Sequence, residues 1–149
     1  MTTIFEADVR RAVLGRLDRL TPASTPQWGT MDVAQMLCHV ARSLRMATGA
    51  LVPPPLPWPI RLLGRLAKRR RLGDGPMGRN GPTSAALKVS DPREFAREKM
   101  AFLDAFEALA AGPQAATAPR HAFFGTMTPD EWGRLMYKHV DHHFTQFGV

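Results

Sequence analysis

A single cysteine, Cys38, rules out an internal disulfide in this 149-residue chain, and with it the stapled architecture of small secreted domains. Long hydrophobic runs are missing as well. Prolines interrupt the apolar stretch at 51–60, so nothing approaches the roughly 20 apolar residues a membrane-crossing helix needs. The opening residues carry Glu6 and Asp8 and no apolar core, unlike a secretory leader, and a cytoplasmic location is the expectation. No segment reads as a convincing strand, and no serine, cysteine or threonine stands in a nucleophile–base–acid set. Acidity is also scarce: 13 Asp and Glu face 20 Lys and Arg, a net charge of +7. That excess is local. Arg61, Arg65, Lys68, Arg69, Arg70 and Arg71 account for nearly all of it, so fold-wide nucleic-acid binding is not expected.

What is present is helical periodicity. With 44% apolar and 22% charged residues the chain has ordinary globular composition, and one domain over 1–149 is expected. Residues 3–20 place Phe5, Val9, Val13, Leu17 and Leu20 on one face, and Thr21-Pro22 stops the helix. Residues 31–48 repeat the pattern with Val33, Met36, Leu37, Val40 and Leu44, where Thr30 or Asp32 can cap and Gly49 can end. Asp91-Pro92-Arg93-Glu94 supplies an acceptor, a proline and an acid in the order that opens a helix over 91–110. Thr128-Pro129-Asp130-Glu131 does the same for the last helix, whose stripe runs Trp132, Leu135, Met136, His139, Val140, His143, Phe144, Phe147. The fold class that follows is all-α: a four-helix bundle with a long crossover at 50–90 between its second and third helices. Within that crossover, residues 59–70 form a short basic amphipathic helix built on Ile60, Leu63, Leu66 and Ala67.

The last helix carries the chemistry. His139 and His143 are four residues apart, hence about 40° apart on one face and about one turn apart along it. Two imidazoles in line with an apolar stripe suggest a metal site. His39, mid-way along the second helix, is the only histidine in the first three bundle helices and is the economical third ligand. His142, about 60° from His139, is an alternative ligand. Gln35 and Gln146 are candidates to stand behind the ligands or to touch a substrate. The plain alternative is that these histidines are hydrogen-bonded core residues. Cys38 points about 100° away from His39 and reads as structural. His121 is read as ordering the loop Ala122-Phe123-Phe124-Gly125.

Two stretches carry a family resemblance. His121-Ala122-Phe123-Phe124-Gly125 with Thr128-Pro129-Asp130-Glu131-Trp132-Gly133, continued by Tyr137-Lys138-His139-Val140-Asp141-His142-His143, is one. Trp28-Gly29-Thr30-Met31 leading into Gln35-Met36-Leu37-Cys38-His39 is the other. Together they resemble the DinB-like bacterial domains related to the YfiT-like metalloenzymes. The resemblance implies an antiparallel four-helix bundle, often dimeric, with a divalent metal on His39, His139 and His143. It also implies kinship with enzymes that use a low-molecular-weight thiol.

Three functions are therefore expected in order. The first is a metal-dependent enzyme of small molecules, with zinc or nickel ahead of manganese or iron, transferring a thiol to an electrophile or hydrolysing a substrate. The second is a non-catalytic bundle acting through dimerisation or a partner. The third, attachment to anionic lipid or nucleic acid through residues 61–71, is set against the simpler reading of that run as a solvated surface, and contact with nucleic acid or membrane is not expected.

Overall fold

Asp32 and Thr128 decide where the two histidine-bearing helices begin. The Asp32 carboxylate accepts from the Gln35 N–H at 2.8 Å while the Gln35 side chain accepts from the Asp32 N–H at 3.1 Å. Thr128 and Glu131 make the same reciprocal pair at 3.2 and 2.9 Å. Each box satisfies two of the amide donors that a helix start leaves open. The computed structural model describes residues 2–81 and 83–149. Among these the helices are α1 (Ala7–Arg19), α2 (Val33–Ala47), α3 (Trp58–Leu72), α4 (Phe95–Ala110) and α5 (Pro129–Gln146). A single 3-10 turn at Pro113–Ala115 follows α4, and a minimal antiparallel hairpin, β1 (Arg120–His121) with β2 (Gly125–Thr126), precedes α5. The molecule is an all-α bundle with that one small hairpin, which the sequence pattern did not announce.

The core is centred on α2. Met36, Leu37, Val40 and Leu44 have no solvent exposure and meet Phe102, Phe106 and Leu109 of α4 and Trp132, Val140 and Phe144 of α5. Phe102 packs on Phe106 and Phe144 with ring centroids 5.8 and 5.4 Å apart. Each such buried side chain contributes about 1.5–3 kcal/mol, whereas an exposed ion pair contributes about 0–1 kcal/mol. Packing, not surface charge, therefore holds the helices together. Arg16 adds one staple from α1 to α5, donating to Asp141 Oδ1 at 2.7 Å and to the Val149 carbonyl at 2.8 Å.

Two boundaries differ from expectation. Residues 3–6 form a turn before α1, closed by Thr3 N–H donating to Glu6 at 2.7 Å, and fully buried Ile4 donates to the Gly133 carbonyl at 3.1 Å. Helix α4 starts at Phe95 with Glu94 as cap, accepting from Ala96 and Arg97 N–H at 2.9 and 2.7 Å. Asp91 instead pairs with Arg93 at 2.7 Å, because Pro92 keeps the preceding backbone extended and residues 84–91 run as a strap along α2. The strap is fixed by Gln35 and Arg42, which donate to the carbonyls of Asp91 and Lys88 at 3.2 and 3.0 Å.

Helix α3 has the expected place in the crossover, and its apolar residues face outward. Gly64 is its buried residue, lying so close to Phe123 that a Cβ there would sit 1.9 Å from the Phe123 carbonyl oxygen. Lys68 ties it down, donating to Glu131 at 2.7 Å and to the Thr126 carbonyl at 2.6 Å. Lys138 donates to the Arg71 carbonyl at its C-terminal end. Ile60, Leu63 and Leu66 point outward.

The hairpin explains His121. Its Nδ1 accepts from the Phe123 and Phe124 N–H groups at 3.1 and 3.2 Å, so the imidazole holds the tight turn its position suggested. Burial pushes its pKa down to about 4.

Two outcomes follow. Gly64→Ala should pry α3 off the hairpin, and limited trypsin digestion should cut the 61–71 segment markedly faster than in wild type; equal cutting rates would contradict the close approach. For His121 the unfolded state binds more protons than the folded one between its ordinary pKa of 6.5 and about 4. Its contribution to stability is therefore intact above the upper value and lost as pH falls through the window. Urea unfolding at stepped pH should give a steeper decline for wild type than for His121→Asn, and parallel declines would refute the assignment.

Candidate metal centre

Position 39 on α2 and positions 139 and 143 on α5 bring three imidazoles edge to edge. Ring centroids are 4.7–4.9 Å apart and the planes cross at 64–84°. His39 Nε2 and His143 Nε2 lie 3.0 and 3.2 Å from His139 Nε2. The three donor atoms fall within 4.8 Å of one another. Donors about 2.1 Å from a shared tetrahedral or octahedral ion would be about 3.0–3.4 Å apart, and the two spacings to His139 match a first-row divalent cation.

The outer nitrogens settle which atoms face inward. His39 Nδ1 lies 2.9 Å from the Leu87 carbonyl, which can only accept, so Nδ1 carries the proton and Nε2 of the neutral ring presents a lone pair. His143 Nδ1 lies 2.8 Å from Gln146 Oε1. Gln146 Nε2 donates to the Trp28 carbonyl at 2.6 Å, which orients the amide so that its oxygen faces His143. His143 Nε2 is thus a second inward lone pair. His139 is the third ring, and its Nδ1 is buried without a hydrogen-bond partner. No tautomer of a neutral His139 satisfies both inward neighbours with one proton each. A cation among the three nitrogens does, and the residues present fit a divalent metal.

Protonation agrees with that fit. Burial lowers the pKa of His39, drives that of His139 well below the usual value with help from its two neighbours, and pushes His143 down to about 3. All three are neutral at neutral pH, the state in which an imidazole ligates. The three buried histidines could hold a metal ion.

The other sequence candidates fall elsewhere. His142 is outside the convergent set: its ring is 5.1 Å from that of His143 and 5.6 Å from that of Trp28. It lines a cleft of about 530 Å³ together with Trp28, Tyr137, Lys138 and Arg79, whose guanidinium sits 4.1 Å over the Trp28 ring. Gln35 serves the α2 cap and the strap and does not reach the histidines. Gln146 stands behind His143. Cys38 is buried away from the three rings, and burial and the neighbouring Glu98 raise its pKa, so it is a protonated thiol. The groups that sequence reasoning passed over are backbone atoms, the carbonyls of Leu87 and Trp28. Neither has a side-chain signature that could have marked it.

Residues 5–148 match the family described as Protein of unknown function (DUF1569), and the chain belongs to that family. No curated protein and no solved structure matches it significantly.

Gln146→Leu removes the acceptor that orients His143 while keeping an apolar fill. Zinc affinity measured by competition with a chromophoric chelator should fall by about 10–100-fold, and an unchanged affinity would sever Gln146 from the site.

Proposed function

We propose that this member of the family is a metal-dependent enzyme of small molecules, with His39, His139 and His143 holding one divalent cation, zinc or nickel. The observation that carries the reading is the convergence of three neutral imidazoles on one point, two of them with Nδ1 tethered so that Nε2 faces inward. The resemblance of the two signature stretches to the DinB-like and YfiT-like proteins supports it. When bound, the cation supplies positive charge that favours the deprotonated form of a thiol or water brought beside it.

The chain's own residues do the remainder. Leu87 and Gln146 hold two ligand rings in one tautomer, and the burial of His39 and His143 keeps bulk water away from them. Cys38 is protonated and turned toward Glu98, so the nucleophile arrives with the substrate. Transfer of a low-molecular-weight thiol to an electrophilic carbon is the preferred reaction: the sulfur–carbon bond forms, the thiol proton passes to solvent, and the leaving group departs with its bonding pair. Hydrolysis of a small molecule is the alternative reaction at the same site. The reading sets this chemistry in the cytoplasm, on a homodimer.

One observation favours a second reading, a non-catalytic bundle with a structural metal. His39 and His143 are only 5% and 8% exposed, and closed sites are characteristic of structural ions.

Metal content by plasma mass spectrometry, beside a His39→Ala/His143→Ala variant, is the first test. About one equivalent in wild type and none in the variant is expected; a wild type that stays empty after incubation with zinc, nickel and manganese would sink both readings. Cobalt substitution then separates them. A visible spectrum that shifts when a small thiol is added supports the enzyme, and an indifferent spectrum supports the structural ion.

A further inference from the structure

We propose that α3 is an interfacial helix that seats the protein on an anionic phospholipid surface. It is docked on the bundle by its small side. Gly64 takes the close contact with Phe123, and Lys68 reaches inward to Glu131. The bulky apolar residues face solvent: Trp58 is 72% exposed, Leu63 62%, Leu66 75%, and Leu62 about half. Trp58, Leu62 and Leu66 follow one another at intervals of four, which keeps them within about 80° on the helix surface. Scattered exposed leucines are ordinary, but a stripe of this kind on one short helix is not.

Charge identifies the occupant. Between Asp32 and Asp74 the chain contains no acidic residue, while α3 alone carries Arg61, Arg65, Lys68, Arg69, Arg70 and Arg71. Among the described residues Lys68 is the only one of these six in an ion pair. Arg61 flanks the apolar stripe on one side and Arg70 on the other, where their long stems can run along it with the guanidinium heads outward, while the Arg65 stem lies against Gly125. A nucleic acid would satisfy the arginines and leave Trp58, Leu62 and Leu66 in water. A second copy docked face to face would set two unpaired arginine clusters against each other. An anionic bilayer serves both halves: acyl chains for the stripe, headgroup phosphates for the guanidiniums, and the interfacial layer for the tryptophan. Attachment is peripheral, because among the described residues no helix is long and apolar enough to cross a membrane.

Vesicle flotation of the full chain tests this. Wild type should float at low salt with phosphatidylcholine vesicles containing phosphatidylglycerol and stay behind with phosphatidylcholine alone. Each cation near such a surface is worth about a factor of five, so Arg69→Gln/Arg70→Gln/Arg71→Gln should partition about a hundredfold more weakly. Leu62→Ser/Leu66→Ser should lose about tenfold or more with its charges intact. All of these side chains are exposed, so both variants should keep the wild-type circular dichroism, melting midpoint and metal content. Trp58 emission should shift to the blue on vesicle addition, a change missing in Trp58→Phe. No flotation of wild type with the anionic vesicles would overturn the proposal. So would flotation indifferent to Leu62→Ser/Leu66→Ser, which is counterion adsorption alone, or a dimer that the same substitution dissociates, which is a self-interface.

Discussion

Three imidazole nitrogens meet inside an apolar bundle, and much of the surrounding structure answers that one electrostatic demand. Two lone pairs aimed at His139 Nε2 from 3.0 and 3.2 Å cannot both be met by its single proton, and they repel unless something positive lies among them. In water the cost would be small; around His39 and His143, which are 5% and 8% exposed, it is not, because little water reaches them to screen it. The bundle meets the demand in two ways. It depresses the basicity of all three rings, and it pins two of them from behind with acceptors that cannot donate. The Leu87 carbonyl and the Gln146 amide are thus as much a part of the centre as the rings.

These supports come from parts of the chain that do not look related. Leu87 lies in the strap over α2, and the Trp28 carbonyl that orients Gln146 lies in the link between α1 and α2. The bundle helices supply the rings, while the connections supply their orientation. The long crossover, which reads as irregular, is held to α2 by Gln35, His39 and Arg42, three residues on one helical face. A single face of α2 thus gives both a ring of the centre and the anchor points of its support.

How much of this could be read from residues alone follows the same division. The helices were legible because apolar side chains recur at helical spacing, and His39, His139 and His143 because they interrupt that spacing with a donor. At α2 the capping pattern narrowed the cap to Thr30 or Asp32, of which Asp32 serves, and the cap at Thr128 was legible because capping is local. The α4 start was not, since Asp91-Pro92 has the composition of a cap but the strap draws it elsewhere. Gln35, a candidate to stand behind the ligands or touch a substrate, caps its own helix instead. The facing of α3 was illegible for a different reason. An amphipathic pattern gives the direction of the apolar stripe relative to the helix, not relative to the rest of the molecule.

That facing depends on the missing side chain at position 64. The contact between Gly64 and the Phe123 backbone works like a keyway: it admits α3 in one rotational setting and blocks its neighbours. Steric fit, rather than the hydrophobic gradient, sets the angle of the helix. Further enrichment of the outer stripe in leucine would therefore not roll the helix inward, as it would for a helix free to find its own balance. The outer surface of α3 can change its character widely while its angle stays fixed, so chemistry at this face and packing beneath it are free to vary independently.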